Sequence, residues 1–214
     1  MHRVRLALAV LISILPLSTL RVLAYRLLLG YEILPGTRIG FGTVIAVSQA
    51  RLHACKIGRF NLFIGPMHVF IGEGASIGNA NIFACGYWTL QEKYRHAGYR
   101  RRIHIGDNAL ITSGHYFDGV GEFVLGEGSW VAGVGSQFWT HGAGVTDRDV
   151  HIGRECYLGS AVRFAPGATV GNRVLVAMGS VVAGKIDVNK ALIGGVPASV
   201  LREEYDWIQR GRAR

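Results

Sequence analysis

Large apolar residues recur at every sixth position through part of the C-terminal half of the chain. The series comprises Ile152, Leu158, Phe164, Val170, Val176 and Val182. A helix repeats about every 3.6 residues and a plain strand about every two, so neither would keep these side chains on one face. The period predicts a hexapeptide β-helix, in which six residues form a short strand plus a corner and three such sides close one coil.

An aliphatic residue followed by glycine marks the corners of this repeat. The dipeptides are Ile39-Gly40, Ile57-Gly58, Ile77-Gly78, Ile105-Gly106, Leu125-Gly126, Ile152-Gly153 and Val170-Gly171, at intervals of 18, 20, 28, 20, 27 and 18. The basic coil therefore has 18 residues, and two coils carry insertions. We expect ten extra residues within 88–102 and nine within 142–150. Insertions in a solenoid project from its faces and often carry function.

Composition supports one folded domain with an appendage. The 214 residues include 30 glycines, which suit a fold with many corners, and only five prolines. Cys55, Cys85 and Cys156 are far apart and form no CxxC pair, so we expect neither a disulfide framework nor a zinc finger, and a reducing compartment. The net charge of +9 is compatible with nucleic acid, an anionic membrane surface or a phosphorylated ligand.

The N-terminal segment, residues 1–30, contains an uncharged apolar run at positions 6–20. Arg3 and Arg5 precede it, and Arg21 and Arg26 follow it. A secretory signal peptide and a transmembrane anchor extended through residues 22–29 are both open interpretations. We favour a helix or helical hairpin lying in the membrane interface, with the arginines at headgroup level, because the run is short and contains Pro16. Residues 22–29 are also suited to capping the β-helix.

The first insertion combines basic and aromatic residues. It holds Lys93, Arg95, Arg100, Arg101 and Arg102 among Trp88, Tyr94 and Tyr99. Such a mixture can stack on bases, but no nucleic-acid-binding motif accompanies it, so we expect no nucleic acid partner. Contact with anionic lipid or an anionic glycan precursor, or a merely solvated loop, remain the interpretations.

We expect three parts: the N-terminal segment, a β-helix over residues 31–197, and a C-terminal helix with a basic tail over 198–214. Ser199 is the expected N-cap of that helix. Its apolar residues, Val200, Leu201, Trp207 and Ile208, would lie on the open end of the prism.

One of the eight histidines is distinguished by its position. His141 follows Phe138-Trp139-Thr140 at the end of a coil and immediately precedes the second insertion. An imidazole beside a loop that walls off a cleft is suited to accepting a proton near neutral pH. Position alone also allows a structural histidine.

Two segments carry a family resemblance. VHIGRECYLGSAVRFAPGATVGNRVLVAMGSVVAGK, followed by IGGVPASVLRE, resembles the C-terminal half of hexapeptide acyltransferases of the maltose and galactoside O-acetyltransferase type. SGHYFDGVGEFVLGEGSWVAGVGSQFWTHG resembles the part before it, and the hydrophobic N-terminus is similar to that of capsule and exopolysaccharide O-acetyltransferases. The resemblance implies a left-handed parallel β-helix, acetyl-CoA as acyl donor, and a homotrimer with sites between subunits.

The resemblance also implies roles for individual residues. His141 matches the general base that removes a proton from a sugar hydroxyl, which attacks the thioester without a covalent acyl-enzyme. Ser113 falls at the position that holds the acceptor hydroxyl, and His115 on the same coil is an alternative for that role. From their position one coil below His141, and not from the resemblance, we expect Asp118 or Glu122 to orient it, with a corner hydrogen bond as the other interpretation of Asp118. The positions that line the pantetheine arm or meet the CoA phosphates are Tyr157, Ser160, Met178, Gly179, Lys185 and Arg202. Ser113 replaces the family's Asn, and Tyr157 replaces its usual Trp.

These observations favour a membrane-associated O-acetyltransferase of a bacterial surface saccharide or its lipid-linked precursor, at the cytoplasmic face of the inner membrane. Three alternatives stay open. They are an N-acetyltransferase acting on an amino sugar, a zinc hydratase of the γ-carbonic anhydrase kind, and a noncatalytic β-helix. The hydratase is disfavoured because His115 and His141 lack a closely spaced third ligand.

Overall fold

The computed structural model describes residues 2–212, which begin with two helices. Helix α1 spans His2–Ser13 and helix α2 spans Ser18–Leu29, and Pro16 lies in the break between them. Gly30 ends α2 in the left-handed conformation, at φ 68°. Glycine adopts this conformation without steric cost, so it turns the chain directly into the first strand.

Twenty-two strands follow within the described residues, most of them two to four residues long. The first eight are β1 (Glu32–Ile33), β2 (Arg38–Ile39), β3 (Val44–Leu52), β4 (Lys56–Ile57), β5 (Leu62–Ile71), β6 (Ser76–Ile77), β7 (Ile82–Ala84) and β8 (Arg102–Ile105). The next seven are β9 (Leu110–Ile111), β10 (Tyr116–Asp118), β11 (Glu122–Leu125), β12 (Trp130–Val131), β13 (Gln137–Phe138), β14 (Val150–Ile152) and β15 (Tyr157–Leu158). The last seven are β16 (Arg163–Phe164), β17 (Thr169–Val170), β18 (Leu175–Val176), β19 (Val181–Val182), β20 (Lys185–Ile186), β21 (Leu192–Gly195) and β22 (Ala198–Arg202), before helix α3 (Trp207–Arg212).

Parallel pairing arranges these strands as the three sides of a prism. The first side stacks β7, β10, β13, β16 and β19 on the first halves of β3 and β5. The second side stacks β8, β11, β14, β17 and β20 on the second halves of β3 and β5, with β1 beside β3. The third side stacks β2, β4, β6, β9, β12, β15, β18 and β21. The predicted parallel β-helix is confirmed.

Inward-facing apolar residues fill the prism. The six residues of the six-residue period are all buried, with exposures of at most 2 %. Along the first side, five phenylalanines stack from coil to coil: Phe63, Phe83, Phe117, Phe138 and Phe164, with ring centroids 4.3, 4.4, 4.8 and 5.3 Å apart. Stacked aromatic pairs add to the stabilisation from burial.

Glycine is required at corners where successive coils approach closely. A Cβ placed on Gly126 would lie 2.3 Å from the carbonyl oxygen of Gly153, and one on Gly153 would lie 2.4 Å from that of Gly171. The corner dipeptide therefore records backbone-to-backbone packing between coils, in addition to the turn itself.

The first insertion is longer than the spacing predicted. Ile77 of β6 pairs with Ile111 of β9, and contacts between these two coils span 34 residues where an uninterrupted coil spans 18. The surplus is thus sixteen residues and not ten. The spacing was misleading because the dipeptides up to Ile77-Gly78 end strands of the third side, whereas those from Ile105-Gly106 end strands of the second side. The nine extra residues of the second insertion are confirmed by contacts that span 27 residues.

The helical hairpin packs on the first coils. Tyr25 is fully buried, and its hydroxyl donates to the carbonyl of Thr43 at 2.9 Å. The prediction that Arg21 lies at headgroup level is wrong, because this side chain is only 5 % exposed. Its guanidinium donates to the carbonyls of Ile39 and Leu15 and so joins α2 to β2. Among residues 2–212, no helix combines the length and apolar character needed to cross a bilayer.

The C-terminal segment differs from the sequence prediction. Residues 198–202 form β22, which pairs antiparallel with β21, so Ser199 lies in a strand and is not a helix N-cap. The free edge of β21 supplies backbone partners that outweigh the helical tendency of this segment. Helix α3 begins only at Trp207, whose indole donates to the carbonyl of Glu155 at 2.7 Å. Val200 and Leu201 remain exposed.

Candidate active site

Both insertions project from the same corner of the prism. Residues 85–101 connect β7 to β8 and residues 139–149 connect β13 to β14, so each leads from the first side to the second. Only the short turn of residues 119–121, between β10 and β11, separates them along the stack. Strands in a sheet lie about 4.8 Å apart, so the two loops begin within roughly 10 Å of each other.

His141 stands at this corner and contacts Asp118 from the coil before it. The Nδ1 atom of His141 lies 2.6 Å from Oδ2 of Asp118. A carboxylate only accepts hydrogen bonds, so Nδ1 carries a proton, and in the neutral imidazole Nε2 is then the nitrogen that can accept one. The His141 side chain is 38 % exposed and that of Asp118 is 2 % exposed. The arrangement is a buried carboxylate that orients an accessible imidazole.

Asp118 is itself fixed by Thr140. The backbone N–H and the hydroxyl of Thr140 both donate toward Oδ2, at 2.8 and 2.9 Å. The Thr140 oxygen also accepts from the N–H of Gly121. Thr140, the residue next to His141, therefore holds the carboxylate that contacts His141, which leaves the Asp118–His141 hydrogen bond little freedom to rearrange.

Aromatic rings flank the imidazole. The Trp88 ring, from the first insertion, lies 5.8 Å from that of His141, and the Trp139 ring lies 6.5 Å from it. Trp139 in turn packs against Tyr116 at 4.8 Å. Trp88 also anchors its own loop, because it contacts both Tyr94 and Tyr99 edge-on.

Salt bridges join the two insertions. Glu122 lies 2.5 Å from Arg100 and 2.9 Å from Arg102, and Arg100 also lies 3.1 Å from Asp149 of the second insertion. The Arg148 guanidinium stacks 4.6 Å from the ring centre of Tyr99. Burial raises the pKa of Glu122, but hydrogen bonds from Arg100 and Arg102 outweigh burial and hold that pKa below its usual range. Glu122 thus clamps the loops. Of the two carboxylates considered for orienting His141, Asp118 and not Glu122 contacts the imidazole.

The same network contains a group with metal-ligand chemistry. Within residues 2–212, Glu122, Asp149 and His151 are the one set of three such side chains whose donor atoms lie within 4.8 Å of one another. Arg100 and Arg102 already engage its carboxylate oxygens. A cation would have to displace two guanidinium groups, so this donor set does not fit a metal centre.

His115 is a structural residue. It is 2 % exposed, its Nδ1 accepts from the N–H of Ser136 at 3.1 Å, and its Nε2 lies 2.9 Å from the hydroxyl of Thr112. Burial lowers its pKa to about 4. Both ring nitrogens are engaged within the chain, which leaves His115 no free nitrogen for the acceptor-binding role considered for it. Ser113 accepts from the N–H of Asn79 at the corner between the third and first sides, away from the corner that holds His141.

The residues expected to bind CoA are placed in several groups. Ser160, Met178 and Gly179 come together at the corner between the third and first sides, where the N–H of Gly179 donates to the carbonyl of Ser160 at 2.9 Å. Met178 is 75 % exposed there. Tyr157 lies on the third side, with its ring 5.3 Å from that of Trp207.

The two basic residues of this set are separated from each other. Lys185 begins β20 and lies 2.8 Å from Asp147 of the second insertion, near the corner that holds His141. Arg202 ends β22 and stacks against Tyr205.

Comparison with solved structures identifies the architecture. The crystal structure of the polySia-specific acetyltransferase NeuO superposes with a TM-score of 0.57 at 15 % identity, covering 83 % of this chain and 82 % of that one. The chain shares the fold of this acetyltransferase. A maltose O-acetyltransferase from Clostridium difficile 630 matches at 22 % identity and a TM-score of 0.48, over 62 % of this chain and 68 % of that one. No protein-family model matches the sequence.

Within this fold, the sequence pointed to His141 and Asp118 but missed Trp88 and Thr140 as their neighbours. Trp88 is 53 positions before His141, and only the stacking of coils brings the two together. Counting corners separately for each side of the prism would have revealed that both insertions leave from one corner.

Proposed function

We propose that the protein is an acetyl-CoA-dependent O-acetyltransferase that acts on a hydroxyl of a saccharide. The observation that carries this proposal is the 2.6 Å contact between Asp118 and Nδ1 of His141, which leaves Nε2 as a base beside two long loops. The fold shared with the polySia-specific acetyltransferase supports the reaction class. We infer a left-handed coil, as the sequence resemblance implies.

In the proposed reaction, Nε2 of His141 removes the proton from the acceptor hydroxyl. The hydroxyl oxygen attacks the thioester carbonyl carbon, the C–S bond breaks, and the imidazolium returns its proton to the CoA thiolate. Asp118 holds the required tautomer and stabilises the imidazolium charge. General-base catalysis of this kind contributes about 10²- to 10⁴-fold to the rate.

The working unit that we infer is a homotrimer with sites between subunits. Within one chain, Ser160, Met178 and Gly179 occupy one corner of the prism while His141 occupies the next. A neighbouring copy that brings the first of these corners to the second would complete a site with pantetheine on one face and the base on the other. Light scattering coupled to gel filtration measures the oligomeric mass, and a monomer that retains full activity would contradict the shared site.

We also propose that the helical hairpin lies on the cytoplasmic face of the inner membrane. Its outward residues are apolar and more than a third exposed: Val4, Leu6, Val10, Leu11, Ile14, Leu17, Leu20, Leu23, Leu27 and Leu28. Residues 2–31 contain no acidic residue, and Arg3 and Arg26 add positive charge to the hairpin, which suits anionic headgroups. Leu23→Glu should reduce co-sedimentation with anionic vesicles, whereas vesicles of neutral lipid should bind the unchanged protein less.

The decisive experiment incubates the purified protein with acetyl-CoA and a panel of neutral and acidic glycosides. Release of free CoA thiol and the mass gain of one acetyl group on a glycoside measure transfer. Amino sugars in the panel distinguish N-acetylation from O-acetylation, because ester and amide products differ in their lability to mild base. His141→Ala should lower turnover at least ~10²-fold while CoA binding persists. Unchanged turnover would eliminate His141 as the base.

A further inference from the structure

An apolar groove runs between the helical hairpin and the first insertion. Its volume is about 550 Å³, within the range of roughly 300–1,000 Å³ that is typical of ligand sites. The apolar lining comes from Val4 and Leu8 of α1, Leu28 and Leu29 of α2, and Tyr87 and Leu90 of the insertion. Val4, Leu28 and Leu90 are each more than half exposed, so the groove opens to the outside.

The charge in this groove has one sign. Arg5 lines it, and its guanidinium donates to the carbonyls of Val47 and Ser48 at 2.6 and 3.0 Å. Across residues 2–212, no carboxylate lies within 4.0 Å of the Arg5 guanidinium. A positioned arginine beside an apolar channel fits a ligand with an aliphatic chain and an anionic phosphate.

One wall of the groove is formed by the turn that also contacts the candidate active site. The turn of residues 87–90 lines the groove with Tyr87 and Leu90, and Trp88 in the same turn faces His141. Val4 and Leu28 line the groove and also belong to the exposed apolar surface of the hairpin. A chain lying in the groove would therefore join the membrane-facing surface to the base.

We propose that this groove binds the aliphatic chain of a lipid-linked saccharide acceptor, with Arg5 at the linking phosphate and the sugar directed toward His141. This inference rests on the proposed acetyltransferase function and specifies its acceptor. A bulk phospholipid would contact the outer surface of the hairpin, and that contact does not require a groove that reaches the catalytic loops. The position of the groove therefore favours the acceptor as the source of the chain.

Binding is tested with the full-length protein and a brominated dodecyl phosphate, because bromine quenches nearby tryptophan fluorescence. The probe should quench the protein at micromolar concentrations, and Trp88→Phe should remove most of that quenching. Leu28→Glu and Leu90→Glu, both at exposed positions, should weaken the probe about tenfold or more. Leu27→Glu is the matched control, since it places the same charge on α2 outside the groove and should not weaken probe binding. Equal effects of Leu27→Glu and Leu28→Glu, or no quenching at all, would overturn the groove.

A kinetic experiment identifies the source of the chain. It compares one glycoside that the enzyme acetylates, with and without a dodecyl phosphate aglycone. The ratio of kcat/KM for the chain-bearing over the chain-free acceptor should fall about tenfold in Leu28→Glu and in Arg5→Gln, and stay constant in Leu27→Glu. A ratio near one in the unchanged protein, with phospholipid vesicles displacing the probe, would show a lipid anchor and overturn the acceptor proposal.

The two experiments fail independently. Quenching by the probe without acetylation of any glycoside would refute the acetyltransferase, and with it the acceptor role, while the chain site itself would remain. Acetylation without quenching would refute the groove and leave the acetyltransferase intact.

Discussion

Asp118 and His141 meet across the boundary between two coils, with Oδ2 of the aspartate 2.6 Å from Nδ1 of the histidine. The two residues are 23 positions apart in the chain, and Thr140 bonds to the same carboxylate oxygen. The pair depends on the stacking of β10 and β13. Its geometry is therefore as rigid as the prism that carries it.

Asp118→Asn should lower kcat about 10²- to 10⁴-fold with little change in CoA affinity. The amide can donate to Nδ1, which would favour the tautomer with the proton on Nε2 and remove the base. Steady-state assays of CoA release, together with isothermal titration with CoA, measure the two effects. Asp187→Asn is an exposed control that should keep full activity. A kcat within threefold of the unchanged protein would contradict the role of Asp118.

The sequence contained both candidates for this role but did not discriminate between them. Asp118 and Glu122 are four residues apart, and each lies one coil before His141. Their fates differ because β10 ends at Asp118 on the first side, while β11 begins at Glu122 on the second. The intervening turn sends one carboxylate to the histidine and the other to Arg100 and Arg102. The six-residue period predicts the core but contains no information about corner geometry.

His115 makes stability depend on pH. Its pKa is lowered to about 4 by burial, so between pH ~6.5 and 4 the unfolded chain binds a proton that the folded protein does not. The free energy of unfolding should therefore fall as the pH drops through this window, by about 3 kcal/mol in total from this residue. Urea denaturation at several pH values measures the slope.

His115→Gln should flatten that slope between pH 6.5 and 4.5, even though the variant is less stable at pH 7. His96→Gln, at an exposed position, should leave the slope unchanged. Parallel curves for His115→Gln and the unchanged protein would show that His115 does not remain neutral when buried.

Glu122→Gln should loosen the two insertions. Its carboxylate is 10 % exposed and binds two arginines that are each about half exposed, so we expect a loss of about 1–2 kcal/mol rather than the larger penalty of a fully buried pair. Trypsin should cut within residues 93–102 faster in the variant. Glu92→Gln breaks an exposed pair with Arg95 in the same loop and should cost at most about 0.5 kcal/mol. Equal proteolysis of the two variants would contradict the clamp.

Phe117→Ala should destabilise the protein by about 3–5 kcal/mol. The ring is fully buried and stacks on both Phe83 and Phe138, so its removal leaves a cavity in the middle of the ladder. Phe60→Ala, at a ring that is 57 % exposed, is the control and should cost much less. Chemical denaturation followed by circular dichroism compares the two variants. Similar decreases in the free energy of unfolding would contradict a stabilising role of the stacked phenylalanines.

The sequence predicted the prism better than it predicted its interruptions. The inward residues have to be large and apolar to fill the prism, and their fixed spacing makes them recognisable in the sequence. The length predicted for the first insertion was too short because the Ile-Gly dipeptide ends strands on two different sides of the prism. The interval between Ile77-Gly78 and Ile105-Gly106 therefore does not measure one full coil. The C-terminal strand was missed because the free edge of β21 is a tertiary feature that no local pattern displays.

Because both insertions leave from one corner, the segments that can vary in sequence and length are separate from the coils that build the prism. Prism coils pack against one another through backbone contacts as close as those at Gly126 and Gly153, so their strands and glycine corners cannot shift without disturbing the next coil. Residues 85–101 leave and re-enter the prism at neighbouring strands and can change without altering that stack. We therefore expect that exchanging residues 85–101 between proteins of this architecture transfers acceptor preference while the β-helix itself stays unchanged.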